Sequence, residues 1–334
     1  MQSLLDPAIL FFIFGMLAGR LKSNLEIPPQ ISRFLALYLL MALGLKGGFA
    51  LAKSGLTNEV VVSLACAIAL AVIVPAIGYL LLRRFLNGFD AAAIAATYGS
   101  VSAVTFITAV QFLDQRGIVY GGHMAAAMAL MESPAIIMAV LLANIVRRHA
   151  SGGVEHVSNA RAASGVSIGK ILHESFTDGA QLLLLGSMLV GILTGAAGEA
   201  AMQPFAVDLF KGMLAFFLLD MGLLAARNMS ELHGKSPWLL AYAVLGPLVH
   251  AALALAISMV AGIPAGNGAL LMVLAASASY IAVPAVIRHA IPEANPSLYF
   301  GMSLGLTFPF NILVGIPMYV WIAQQFLPAA IVHP

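Results

Sequence analysis

Hydrophobic runs of about 20 residues, separated by short polar breaks, fill almost the whole chain. Runs of this length match the hydrocarbon thickness of a bilayer, whereas the strands of a membrane barrel alternate over shorter segments. The pattern therefore predicts an all-α polytopic membrane protein with about ten transmembrane helices. We place the spans at 7–21, 33–52, 59–82, 91–113, 121–146, 179–197, 204–225, 237–262, 267–290 and 297–327.

The longest polar interval, 147–178, contains Ser, Gly, His, Asn and scattered charges. It predicts a solvated linker between a first five-helix repeat at 1–146 and a second at 179–334. Four stretches of the first half recur in the second half in the same order. The pairs are 15–19 with 191–195, 39–45 with 218–224, 100–104 with 279–283, and 133–134 with 308–309. Because each half has an odd number of spans, the second half enters the membrane from the opposite side, which predicts a 5+5 inverted repeat.

The distribution of basic residues predicts the orientation of the chain. With both termini outside, the inside loops carry most of the Lys and Arg residues, and the outside loops keep only Lys53 and Arg116. Positive residues accumulate on the cytoplasmic side of membrane proteins. We therefore expect both termini outside and the central linker in the cytoplasm.

The composition excludes several functional classes. It is 61% hydrophobic and 9% charged, whereas soluble domains carry roughly 25% charged residues. The single cysteine, Cys66, excludes an internal disulfide or a cysteine metal cluster. The chain has no H-E-x-x-H or P-loop motif. Its two G-x-S-x-G matches, at 165–169 and 301–305, lie in the polar interval and within an apolar span, not at the strand-to-helix turn of a hydrolase, so we predict neither an enzyme nor a nucleotide-driven pump. No cofactor and no nucleic-acid partner are expected.

The fourth span is interrupted at mid-depth by small and hydroxyl-bearing residues. These are Gly99, Ser100, Ser102, Ala103 and Thr105. The ninth span repeats the interruption with Ser277, Ser279, Tyr280 and Ile281. Paired weak helices in corresponding halves indicate a transporter binding site, and the N-termini of half-helices favour a small anion. The alternative is that the small residues only allow close helix packing.

Glu132 is the clearest carboxylate within an apolar span. Because a charge at that depth costs about 2.5–3.5 kcal/mol, we interpret it as a ligand for Na⁺ or a proton carrier. The neighbouring Ser133, with Thr307 and Asn311 in the equivalent part of the second half, completes the candidate cation site. The alternative is a structural pair between Glu132 and a lysine such as Lys46. Asp220 is a second candidate, which could bond Lys46 or line a pathway.

Four stretches resemble the SbtA family of sodium-dependent bicarbonate transporters, and the similarity covers nearly the whole chain. They are 44–48, 99–105, 134–135 with 143–145, and 290–297. The resemblance implies Na⁺-coupled bicarbonate uptake across the bacterial inner membrane. It also implies a ten-helix inverted repeat, a homotrimer and a PII-like cytoplasmic regulator.

By position, Ser102, Ala103 and Thr105 fall on the family's bicarbonate site. So do Ser277, Ser279 and Ile281, and Glu132 falls on an acidic position of the family. Tyr280 stands where the resemblance leads us to expect an aspartate. The linker is also shorter than in the cyanobacterial members.

Three other functions fit the residues. One is a symporter for another small anion, and a second is a cation or proton exchanger on the same scaffold. The exchanger is disfavoured because no adjacent pair of membrane acids exists in the sequence. The third is a non-transporting membrane receptor for a soluble regulator.

Overall fold

All regular secondary structure of the described chain is helical. The computed structural model describes residues 6–150, 179–230, 232 and 235–329. The helices are α1 Pro7–Arg20, α2 Pro29–Ser54, α3 Asn58–Leu82, α4 Gly88–Gly99, α5 Ala103–Asp114, α6 Met124–Ala150, α7 Gly179–Gln203, α8 Phe210–Ser230, α9 Pro237–Ala261, α10 Ala265–Ala276, α11 Ala282–Ala290 and α12 Pro296–Phe326. Within α12, Gly301–Thr307 and Asn311–Gly315 are π-helical.

Seven helical stretches of the described residues are long and apolar enough to cross a membrane. One of them, Gly179–Met229, contains α7, the π-helical segment Pro204–Asp208 and α8. Gly195 kinks α7 with a positive φ of 54°. The shorter α1 and α10 are also apolar. The polytopic all-α prediction is confirmed at this level, and the count of ten spans stays a prediction.

The helical bundle has two ends, and different segments of the chain meet at each end. Gln115, just after α5, contacts Asp6, and the Ala265 N–H donates to the Pro328 carbonyl at 2.8 Å. We call this end the terminal end. At the other end, the linker end, Arg147 donates to both oxygens of Glu293, at 3.0 and 2.9 Å. These bonds to Arg147 hold the pKa of Glu293 below its usual range.

Helix α1 packs against α8, and helix α2 packs against α7, in both cases through glycines. A Cβ added to Gly222 would collide with the Phe12 carbonyl oxygen, and one added to Gly48 would collide with that of Met188. Gly191 is equally close to α2, since its added Cβ would lie 2.7 Å from the Leu45 carbonyl oxygen. Close backbone approach through small residues is the usual way that membrane helices associate. The glycines therefore make α1–α8 and α2–α7 two tight helix pairs.

The broken helix α4–α5 lies at the centre of the molecule. Within Gly88–Asp114, 94% of an 18-residue apolar segment is buried inside the protein. In Gly179–Met229, only 28% of such a segment is buried. Two apolar clusters flank the break. Residues after it, such as Val104, belong to one cluster, and residues before it, such as Tyr98, belong to the other. The polar break is thus enclosed by protein and not by lipid, as irregular backbone within a membrane requires.

The predicted linker begins later than expected. Helix α6 continues to Ala150, so 147–150 are helical, and Arg147 donates to the carbonyl of Ala290 at the end of α11. Residues 151–178 lie outside the described residues, as do 1–5 and 330–334.

The substitution Gly222→Ala should lower the free energy of unfolding by about 1–3 kcal/mol, because its methyl group would overpack the α1–α8 contact. Gly212→Ala in the same helix is the matched control, since an added Cβ there meets nothing within 4 Å. Thermal unfolding of the purified protein in detergent measures both. Equal melting temperatures for the two variants would contradict the packing role of Gly222.

Candidate functional site

The two broken helices cross at their interruptions. The helix α4 ends at Gly99 and α5 begins at Ala103, while α10 ends at Ala276 and α11 begins at Ala282. Two helix N-termini and two helix C-termini therefore converge at one point. N-termini leave N–H donors and partial positive charge, and C-termini leave carbonyl oxygens and partial negative charge. We call residues 97–105 and 276–283 the crossing.

Hydrogen bonds join the two interrupted segments directly. The Ser102 N–H donates to Ser277 Oγ at 3.0 Å, and the Ser277 hydroxyl donates to the Leu274 carbonyl at 2.9 Å. In the opposite direction, the Ser279 N–H donates to the Thr97 carbonyl at 2.9 Å. Each broken helix thus provides hydrogen-bond partners for backbone groups of the other helix that have no partner within their own helix.

Ser102 caps the second half of the first broken helix. Its Oγ accepts the Thr105 N–H at 3.2 Å and the Thr105 hydroxyl at 2.9 Å. Ser279 lies three residues before α11, and its Oγ accepts the Val283 N–H of the first turn at 3.3 Å. Side-chain caps of this kind stabilise a helix N-terminus by about 1 kcal/mol. The two serines therefore fix the two N-termini that face the crossing.

The remaining predicted anion residues have different surroundings. Gly99 packs on α3, where an added Cβ would lie 2.6 Å from the Pro75 ring. Ser100 is buried, and its hydroxyl finds no hydrogen-bond partner among the described residues. Ala103 is half-buried, whereas the Ile281 side chain is 61% exposed. The Tyr280 hydroxyl is buried and lies 3.9 Å from Met221 Sδ. Of this set, Ser100 has an unused polar group at the crossing.

Two of the predicted cation ligands lie beside the crossing. The Asn311 amide donates to the Ala276 carbonyl at 2.8 Å and accepts the Tyr319 hydroxyl at 3.1 Å. Thr307 Oγ1 lies 2.6 Å from the Tyr98 hydroxyl and donates to a carbonyl of α9 at 2.6 Å. Both residues are in or at the end of π-helical turns, which are frequent at functional sites.

The other two cation candidates are on α6. Glu132 is half-buried and accepts from Gln181 Nε2 at 2.5 Å, which links α6 to α7. The Ser133 side chain lies outside the described part of the chain. Among the described residues no group of three or more His, Cys, Asp or Glu could hold a metal ion. A Na⁺ ligand set here would need backbone carbonyl, hydroxyl or amide oxygens, as in transporters with broken helices.

Both structural pairs considered for Lys46 are wrong. Lys46 forms its ion pair with Asp114, at 2.5 Å. Asp220 instead accepts a hydrogen bond from Ser32. On α2, Ser32 and Lys46 are about 20 Å apart along the axis, at about 1.5 Å per residue. Asp220 lies beside Ser32 and is therefore out of reach of Lys46.

Three residues at or beside the crossing were not among the site residues chosen from sequence. The Thr97 carbonyl binds the ninth span, Tyr98 binds Thr307, and Tyr319 holds Asn311. Thr97 and Tyr98 immediately precede Gly99, so their position next to the break was an available signal. Tyr319 carried no such signal, because it lies eight residues after Asn311 on an apolar helix.

Comparison with known proteins identifies the family. The family model of the Na⁺-dependent bicarbonate transporter superfamily matches residues 7–324. The chain belongs to this superfamily. A comparison with curated proteins returned no match.

Membership of the Na⁺-dependent bicarbonate transporter superfamily confirms the predicted resemblance and the prediction that the chain is a transporter and not an enzyme. It supports bicarbonate and Na⁺ as the transported species and a multi-pass membrane setting.

The substitution Asn311→Leu should lower the free energy of unfolding by about 1–3 kcal/mol, because the buried Ala276 carbonyl loses its donor. Tyr319→Phe removes only the bond on the other side of the amide and should cost about 0.5–1.5 kcal/mol. Denaturation of the two purified variants measures the difference. A larger loss in Tyr319→Phe than in Asn311→Leu would contradict the role of the amide as a cap of α10.

Proposed function

We propose that the protein takes up bicarbonate with Na⁺ and binds the anion at the crossing of the two broken helices. The observation that carries the proposal is the convergence of the α5 and α11 N-termini in one buried, hydrogen-bonded polar centre. Membership of the Na⁺-dependent bicarbonate transporter superfamily supports the choice of ion.

The chemistry of the crossing suits a small monovalent anion. Each helix N-terminus carries an equivalent of roughly half a positive charge, so two of them balance one negative charge. The crossing contains no Lys or Arg between 97 and 105 or between 276 and 283. Bicarbonate offers oxygens that accept N–H and O–H donors and one hydroxyl that can donate. Ser100, Ser102 and Ser279 are placed to contribute hydroxyl groups.

The coupling cation would bind beside the anion. The C-termini of α4 and α10 present carbonyl oxygens there, and Asn311 and Thr307 add side-chain oxygens. This set requires no aspartate at position 280, where Tyr280 stands. Glu132 and Ser133 remain candidates on α6, where Glu132 would supply charge beside its hydrogen bond with Gln181 of α7.

The two halves would form the predicted 5+5 inverted repeat. Reciprocal glycine contacts support it, since Gly15 faces Leu219 and Gly222 on α8 as Gly191 faces Leu45 and Gly48 on α2. These contacts make Gly48 the counterpart of Gly222, whereas the sequence match pairs Gly222 with Leu43. In this arrangement α1, α2, α7 and α8 are the scaffold, and the broken helices belong to the moving core.

The orientation and the partners follow from the same scheme. The terminal end would face the outside and the linker end the cytoplasm of a bacterium. The exposed apolar faces of the scaffold, which include Phe14 and Leu193, would face lipid or the other subunits of a homotrimer. A PII-like regulator would contact the linker, whose residues 151–178 lie outside the described chain.

A flux experiment tests the proposal. Purified protein in lipid vesicles should accumulate labelled bicarbonate when Na⁺ is higher outside, at constant pH and membrane potential. Reversing the Na⁺ gradient should reverse the flux, because the two ions move together. Accumulation that follows a pH gradient and ignores Na⁺ would contradict Na⁺ coupling. Absence of any bicarbonate flux would contradict the substrate.

The substitution Ser102→Ala should reduce bicarbonate uptake by at least about tenfold, because it removes both the cap of α5 and a hydroxyl at the anion. Ser187→Ala is the control, since the Ser187 hydroxyl bonds only the carbonyl of Leu183 in its own helix α7. Uptake is measured at equal amounts of folded protein, determined by size-exclusion chromatography. Normal uptake by Ser102→Ala would remove Ser102 from the site.

A further inference from the structure

One ion pair bridges the scaffold and the core at the terminal end. Lys46 belongs to α2, and its Nζ lies 2.5 Å from Asp114 Oδ2 at the end of α5. Both side chains are only partly accessible, at 22% and 31%. The pair therefore connects a helix of the scaffold with the same helix whose first turn is capped by Ser102.

Asp114 keeps a second partner when Lys46 is removed. The Tyr120 hydroxyl donates to Asp114 Oδ1 at 2.8 Å. Burial and the nearby Asp114 carboxylate raise the pKa of Tyr120, so the phenol stays protonated and remains a donor. Asp114 is the last residue of a helix, where the helix dipole disfavours an acid. Lys46 offsets this cost, and an anion of similar charge could compete for it.

Two cavities meet at this ion pair. One of about 610 Å³ extends between the scaffold and the core as far as Phe106, the residue after Thr105. The other, of about 470 Å³, lies beside Asp114 and Lys211. Lys46 and Tyr120 line both cavities. Lys46 is thus the lysine that lines both cavities between the terminal end and the first turn of α5, whereas Lys53 and Lys211 each line one.

We propose that Lys46 is an outer anion-binding residue that exchanges the Asp114 carboxylate for an arriving bicarbonate before the anion reaches the crossing. This rests on the proposed function. The O–C–O group of bicarbonate has the planar geometry of a carboxylate, so it can replace Asp114 on the ammonium group, and Tyr120 retains the released acid. Loss of the ion pair also removes one link between α2 and α5 at this end.

Opposite effects of two substitutions distinguish this role from a structural ion pair. Lys46→Gln should raise the KM for bicarbonate roughly three- to tenfold with little change in kcat. Asp114→Asn leaves Lys46 without its competitor and should lower the KM about two- to fivefold. Lys46→Arg keeps the charge and should stay within about twofold of the wild type. A structural pair predicts that Lys46→Gln and Asp114→Asn act in the same direction.

Lys53→Gln is the matched control. Lys53 lines the larger cavity and pairs with Glu199 at 2.7 Å, but its side chain is 62% exposed. Solvent screening at such a site predicts a KM within about twofold of the wild type. The same Na⁺-driven vesicle assay measures every variant, with melting temperatures as a check of folding.

The outcomes separate the two proposals. Wild-type vesicles without bicarbonate flux would overturn the proposed function and this role with it. Wild-type flux with an unchanged KM in Lys46→Gln, or with KM raised in both Lys46→Gln and Asp114→Asn, would overturn the role of Lys46 alone. Where Lys46→Gln does not fold, Asp114→Asn decides, because a lowered KM supports the exchange and a raised KM refutes it.

Discussion

Irregular backbone in the middle of a membrane protein must find hydrogen-bond partners within the protein, and this constraint shapes the whole molecule. The two interrupted helices meet it by bonding to each other, through Ser102 N–H to Ser277 and Ser279 N–H to the Thr97 carbonyl. Since neither interruption could exist at this depth without the other, the polar centre needs both halves of the chain. The same bonds bring two helix N-termini toward one point.

Around this centre the structure uses two kinds of contact. The scaffold pairs, α1–α8 and α2–α7, are held by glycine contacts in which backbone touches backbone. Such contacts leave little room for sliding, because close-packed surfaces do not deform continuously. At the terminal end, Lys46 and Asp114 form an ion pair between α2 and α5, and Lys46 lines two cavities there. At the same end α2 also meets the segment before α6 by a close backbone contact, since a Cβ added to Gly122 would collide with the Gly47 carbonyl oxygen.

Much of the fold could be predicted from the chain itself. The long apolar runs require membrane helices, and the small and hydroxyl-bearing residues near Gly99 and Ser277 placed both interruptions within a few residues. Candidate residues were also found on both sides of the crossing. The partners of single polar residues could not be predicted, as Lys46 shows. Its partner Asp114 is 68 positions away on a different helix, and nothing in the local pattern distinguishes it from Glu132 or Asp220.

The sequence by itself determined the class of the protein, the places where its helices break and the family to which it belongs, because hydropathy, helix propensity and motif similarity are properties of local residues. Only the tertiary structure decided that Gly99 packs on Pro75, that Asn311 caps α10, and that the two interruptions bond each other. Those facts depend on the rotation and axial position of each helix. The sequence of one helix does not determine its rotation or its axial position, because both depend on the neighbouring helices.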